Sequence, residues 1–255
     1  MTDSPRSRFR LPFWGWSLFA TVLLVVAGIG LSVWMPYQRE QQVIEEIKNR
    51  DGIFKIETLG PDWLRKVAGP DRTKEFKVFD RVTAVELYSP AITDVEIAHL
   101  NGLSDLKTLF LTRTTVTDTG LAHLSGLATL HELYLNDTAM TDAGLTNFKG
   151  LKRLLRLSLD GTAVTDAGLA HLSACKNLEY LSLNATPVTD ARLAPLSGLD
   201  NLKDLSLNST AVTDAGLAHL HGLTNLKRLS LFDTSVSEKG IEELQIALPK
   251  CEIGH

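Results

Sequence analysis

The stretch from Leu106 to Thr129 reads LKTLFLTRTTVTDTGLAHLSGLAT, with leucines at its first, fourth and sixth positions. Its Thr117-Asp118 pair recurs as Thr93-Asp94, Thr141-Asp142, Thr165-Asp166, Thr189-Asp190 and Thr213-Asp214, at an interval of 24 residues each time. A degenerate further copy, Ser237-Glu238, keeps the interval, so more than half the chain is one unit copied without insertion or deletion. A fixed period of this length predicts a solenoid, because each unit can bury its apolar side only against its neighbours.

The fourth and sixth positions hold Val85/Leu87, Leu109/Leu111, Leu133/Leu135, Leu157/Leu159, Leu181/Leu183, Leu205/Leu207 and Leu229/Leu231. That alternation has period two and suits a short strand with one face inward, so seven strands are expected in one parallel sheet. Three residues on stands Thr114, Thr138, Thr162, Thr186, Thr210 or Thr234, whose hydroxyl can bond the backbone of the turn. An inward apolar residue follows, and then Thr-Asp, which opens a short helix. Capping, with the carboxylate at the positive helix end, accounts for the repeated aspartates. Leu121, Leu124 and Leu127 return toward the strand at helical spacing, so each unit buries about seven apolar side chains.

The copies TDTGLAHLSGL, TDAGLTNFKGL, TDAGLAHLSAC, TDARLAPLSGL and TDAGLAHLHGL carry a resemblance. Over roughly residues 82 to 253 the chain resembles the ribonuclease-inhibitor-like leucine-rich repeats with a T-D-x-G-L signature, which also occur beside F-box domains and in bacterial repeat proteins. The resemblance implies an α/β leucine-rich repeat solenoid, curved, with parallel strands on the concave face and short helices on the convex face. It also implies a recognition scaffold and not an enzyme.

The 255 residues, 44% hydrophobic with net charge -4, leave room for little beyond the repeats. No charged residue occurs from Leu11 to Gln38, and the 23 residues from Phe13 to Met35 suffice to cross about 30 Å of hydrocarbon as a helix. Trp14 and Trp16 at one end, Trp34 and Tyr37 at the other, match an aromatic belt. A cleavable signal would have a shorter apolar run and a small-x-small site, whereas this one ends Val33-Trp34-Met35-Pro36. The expectation is therefore a cytoplasmic tail over residues 1–12 and one transmembrane signal anchor over 13–36, set in the lipid bilayer of the cell membrane. Arg6, Arg8 and Arg10 cluster more tightly than Arg39, Lys48 and Arg50, which predicts a cytoplasmic N-terminus and an exported repeat domain. Residues 37–81 read as an N-terminal cap: a helix Glu40 to Asn49, a strand Ile53 to Thr58 and a short helix near Asp62 to Val67. Repeats fill 82–240, and 241–255 read as a C-terminal cap of one helix and a shortened strand.

The sequence offers little chemistry. His99, His123, His171 and His219 share one repeat position, but Asn147 and Pro195 also occupy it and no Cys or paired carboxylate joins them, so no metal is expected. Cys175 stands where other repeats have leucine and lies about three strand spacings from Cys251, too far for a disulfide. The strand serines lack an adjacent histidine, and no phosphate-cradling glycine motif is present, so no cofactor is expected. Lys152, Arg153 and Arg156 cluster in one repeat and Lys227 and Arg228 in another, without the continuous basic stripe that nucleic acid requires. Gly120, Gly144, Gly168 and Gly216 point to close backbone packing, with Glu96 and Arg192 in their place elsewhere.

The outward strand positions vary instead. One runs Glu86, Phe110, Tyr134 and then four serines; another runs Tyr88, Thr112, Asn136, Asp160, Asn184, Asn208, Phe232. Tyr88, Phe110 and Tyr134 are therefore expected to meet at the N-terminal end of the concave sheet, with Arg113, Asp137, Arg156 and Asp160 beside them, as the candidate partner-binding set. Adjacent strand aromatics can equally stack to cover the sheet without a partner. The expected function is a membrane-anchored scaffold that binds another protein. The alternatives are a structural or glycan-binding envelope protein, for which the polar ladders would serve, and an adaptor of the F-box type, against which stands the lack of a second globular module beside the repeats.

Overall fold

The computed structural model describes residues 34–50, 52–58 and 80–255. The sheet follows sequence order: β1 Ile53–Thr58, β2 Asp80–Glu86, β3 Thr108–Phe110, β4 Glu132–Tyr134, β5 Arg156–Ser158, β6 Tyr180–Ser182, β7 Asp204–Ser206, β8 Arg228–Ser230 and β9 Glu252–Gly254. From β2 to β9 neighbouring strands are parallel, and each residue pairs with the one 24 positions on, as Leu109 with Leu133 and Leu133 with Leu157. The period is thus the register. The expected seven strands are nine, because β1 closes one end in antiparallel pairing with β2 and β9 extends the other.

In the unit 106–129 the inward side chains are Leu106, Leu109, Leu111, Val116, Leu121, Leu124 and Leu127, none more than 1% exposed. Phe148, Met140 and Cys175 fill the equivalent space in other units, so the core runs unbroken along the stack. The turn threonines behave as expected: Thr114 donates its hydroxyl to Leu111 O at 2.8 Å, and Thr138, Thr162, Thr186, Thr210 and Thr234 repeat the bond.

The repeated aspartates do something other than cap. The N-cap is the threonine, whose hydroxyl accepts from the backbone N–H two residues on, as Thr117 does from Thr119. The Asp94 carboxylate reaches the next unit, where its two oxygens accept from Thr117 N (2.8 Å) and Thr117 Oγ1 (2.6 Å). The same clasp joins Asp118 to Thr141, Asp142 to Thr165, Asp166 to Thr189, Asp190 to Thr213 and Asp214 to Ser237. These are charge-assisted bonds between units, which a local reading of the helix start does not suggest. They also explain the glycines: a Cβ on Gly120 would stand 2.3 Å from Asp94 Oδ1, and one on Gly168 2.3 Å from Asp142 Oδ1. Where Arg192 replaces glycine the α-helical turn gives way to a 3-10 turn, Asp190–Arg192.

In the first unit Pro70 stands 23 residues before Thr93, where the other units have the clasping Asp, and Glu96 bonds Thr93 instead. Its carboxylate accepts from Thr93 N at 2.8 Å and Thr93 Oγ1 at 2.7 Å, and Arg50 pairs with it at 2.7 Å. The cap helix spans 34–49, longer than the expected Glu40 to Asn49, and buries Val43, Ile44 and Ile47 against the first unit. Its Glu40, 1% exposed, accepts from Val82 N at 3.0 Å and lies 3.7 Å from the Arg81 guanidinium. The short helix expected near Asp62 falls outside the described residues, as does all of the expected span 13–36 except residues 34–36. Among the described residues no helix is long and apolar enough to cross a membrane. At the far end lie the helix Glu238–Ala247, which begins three residues before the expected Ile241, and β9.

Candidate functional site

Each short strand turns its middle residue inward and its two flanking residues outward, so in-register pairing lines up outward side chains from successive units in columns. One column brings Phe110 and Tyr134 together as stacked rings, with centroids 4.3 Å apart and planes within 1° of parallel. Tyr88 joins them at 6.1 Å and 47°, and is half exposed. The hydroxyls of Tyr88 and Tyr134 donate to Glu86 (3.0 Å) and Glu132 (3.4 Å). Burial, and then the Glu86 bond, push the Tyr88 phenol up to about 12, while burial and the Glu132 charge raise Tyr134, so both rings stay neutral donors at physiological pH.

The charged candidates divide. Arg113 and Asp137 pair at 3.5 Å beside the rings, both from the left-handed turn that follows each strand (φ 59 and 54). Arg156 faces the next unit, its guanidinium 5.6 Å from the Tyr180 ring centroid and 3.9 Å from Glu132. Asp160 heads a ladder: it accepts from Ser182 Oγ (2.5 Å) and Asn184 N (2.8 Å). Asn184 does likewise for Ser206 and Asn208, and Asn208 for Ser230 and Phe232.

Neither a family model nor a curated protein matches the chain. Solved structures do. Internalin C2 of Listeria monocytogenes is similar over 68% of this chain and 70% of its own, with 27% identity and a TM-score of 0.56. A leucine-rich repeat protein of Leptospira interrogans (24% identity, TM-score 0.49, covering 62% of this chain and 45% of its own) and a Listeria internalin F (20%, 0.47, 66% and 51%) also align. The fold is a leucine-rich repeat solenoid.

Within this leucine-rich repeat solenoid the strand face is the variable surface, and it holds a further column that the sequence reading passed over: Glu132, Arg156, Tyr180, Asp204, Arg228, Glu252. Its signal in the sequence is a series of charges that change sign at the repeat interval, broken by Tyr180, which neither basic cluster alone reveals. A hollow of about 490 Å³ opens on this face where Ser206, Ser230 and Gly254 replace aromatics, with Tyr180 and Arg228 at its sides. The strand serines are not nucleophiles: Ser158 and Ser182 are 2% and 0% exposed, and Ser182, Ser206 and Ser230 donate their hydroxyls to the ladder. Burial raises the thiols of Cys175 and Cys251 to about 11, far from the range of a reactive cysteine. His99 lies 3.2 Å from Glu46 of the cap helix, and among the described residues no cluster of three metal-ligating side chains occurs.

Proposed function

We propose that this chain is a protein-binding scaffold whose partner docks on the strand face across Tyr88, Phe110 and Tyr134, with the Arg113–Asp137 pair at the edge. One observation carries the reading: three aromatic rings form a single run on the outward side of the strands, Tyr88 half exposed and Phe110 and Tyr134 partly buried, with the Arg113–Asp137 ion pair following the same strands. A rigid aromatic run flanked by charge is the composition of an interface hot spot. The likeness to an internalin supports a binding scaffold without naming the partner. The T-D-x-G-L copies support assignment to the ribonuclease-inhibitor-like class, and the uncharged run over residues 13–36 supports a single-pass membrane anchor with the repeats exported. Glycan binding through the Ser and Asn ladders is the weaker reading, because those groups already bond one another.

Cross-linking from membranes with the full chain and with a Phe110→Ala/Tyr134→Ala variant tests the proposal, after thermal melts show that both fold. A partner recovered with the wild type and reduced at least tenfold with the variant is expected. Equal recovery would make the rings a cover for the sheet and nothing more.

A further inference from the structure

Two basic clusters that lie far apart in the sequence meet in one place. Arg156 and, three units later, Lys227 and Arg228 line a single cavity of about 690 Å³ at the C-terminal end of the strand face, together with Lys203 and Lys250. Five cations face three carboxylates there, Glu179, Asp204 and Glu252, although the whole chain carries a net charge of -4. Two of those carboxylates are already engaged. Glu179 pairs with Lys203 at 2.7 Å, and Asp204 pairs with Arg228 through the Nε–H. The same pairing raises the Arg228 pKa, and the bond uses the Nε–H alone, on a side chain that lines the cavity and is 69% exposed. Lys227 and Lys250 have no ion-pair partner among the described residues, and both are exposed.

Nothing in the fold requires this cluster. In the last unit Cys251 takes the buried place of Leu226, so Lys250 stands where other units have exposed Asn225 or Asn201, and His131 or Leu155 stands at the position of Lys227, all supporting the same sheet. Cations gathered in a concavity focus their field on whatever enters it. We infer that this hollow is a binding site for an acidic segment of a partner polypeptide, with two or more of its carboxylates taken by Lys227, Lys250 and the remaining N–H groups of Arg228. A nucleic-acid backbone fits less well, because Glu179 and Glu252 interrupt the cations where a regular row of phosphates would lie. Separate glutamates on an extended chain, about 7 Å apart on alternate residues, can avoid those two positions. Tyr180, in register between Arg156 and Asp204, lines the adjoining hollow, which shares Asp204, Arg228 and Glu252 with this one, and offers the peptide an apolar contact there. The inference rests on the strand face being a protein-binding surface and adds the chemistry of what binds at its other end.

The test is fluorescence anisotropy of a labelled octaglutamate peptide titrated with the full chain in neutral detergent. Binding is expected that weakens about tenfold between 50 and 300 mM salt. Lys227→Gln/Lys250→Gln should weaken it at least fivefold, Glu252→Gln should tighten it, and Phe110→Ala/Tyr134→Ala should leave it unchanged. Absence of binding, equal binding by the lysine variant, or tighter binding of a DNA duplex or a sulfated oligosaccharide to the same lysines would overturn the inference. Weakening by the aromatic variant alone would overturn it too, while leaving the aromatic surface standing as a binding site.

Discussion

Asp142 begins a helix of four residues, yet its carboxylate stabilises the unit that follows. Its oxygens accept from Thr165 N at 2.7 Å and Thr165 Oγ1 at 2.6 Å, and the Thr165 hydroxyl in turn accepts from Ala167 N. Asp142→Ala removes the acceptor for a partly buried N–H and loosens a neighbouring cap, so a loss of about 1–3 kcal/mol is expected in urea denaturation. A variant as stable as the wild type would show the clasp to be ornamental. A second residue-scale effect lies at the left-handed turn position, occupied by Arg113, Asp137, Gly161, Ala185, Ser209 and Asp233. Only one of the six is the residue that adopts positive φ without strain. Ala185 (φ 52) has no polar side chain to compensate, so Ala185→Gly is expected to raise stability by about 0.5–1 kcal/mol, read from the denaturation midpoint. The aspartate's distant partner was not legible in the sequence, because N-capping offered a sufficient local explanation and hid a contact 23 residues away. The glycine opposite reads in the sequence as close backbone packing, whereas the group nearest it is the side-chain carboxylate of the preceding unit, which only the structure shows.

At the scale of the element, the modified clasps stand at the two ends of the stack, and the carboxyls of both are depressed. Burial by itself would raise the Glu96 carboxyl, but the Thr93 hydroxyl and amide together with Arg50 bring it below its ordinary value of 4.5. Asp214 is held below 3.8 by the Ser237 hydroxyl and then its amide. Carboxyls with depressed folded values contribute stability that is present above their ordinary range and lost as pH falls through it. Urea midpoints should therefore hold from pH 7 to about 5 and fall below pH 4.5, with Glu96→Gln and Asp214→Asn flattening the fall. An unchanged acid limb in both variants would assign the loss to other groups. The elements themselves were largely readable: the strand positions, the cap strand Ile53–Thr58 and the last strand all lie where the pattern puts them. Antiparallel pairing of β1 with β2 was not readable, since it depends on how the chain returns and the repeat period says nothing there. On the strand face, the aromatic run was legible because Phe110 and Tyr134 recur at one position and Tyr88 stands two residues beyond that position in the unit before. The charge column was missed because its members change sign from unit to unit, and only stacking shows them as neighbours.

Over the whole molecule the core is a single cluster in which each unit touches chiefly the one before and the one after. Stability in such a stack is close to a sum of unit terms and nearest-neighbour interface terms, so position along the stack decides what a core defect does. Leu157 is fully buried at the centre, and its strand pairs with β4 on one side and β6 on the other. Leu157→Ala leaves a cavity that weakens its own unit and both interfaces, with an expected cost of about 2–5 kcal/mol. Unfolding should remain a single transition at a lower urea midpoint, because neither half can keep its core covered once the centre opens. Leu248, 3% exposed, sits beside β9, where only one neighbouring unit depends on it. Leu248→Ala is expected to free the last cap and little else: hydrogen exchange should speed up in the helix Glu238–Ala247 and in β9, while amides of β4 and β5 keep their wild-type protection. If Leu248→Ala instead accelerates exchange evenly from β2 to β9, the stack unfolds as one body, coupling extends well beyond nearest neighbours, and the additive description fails.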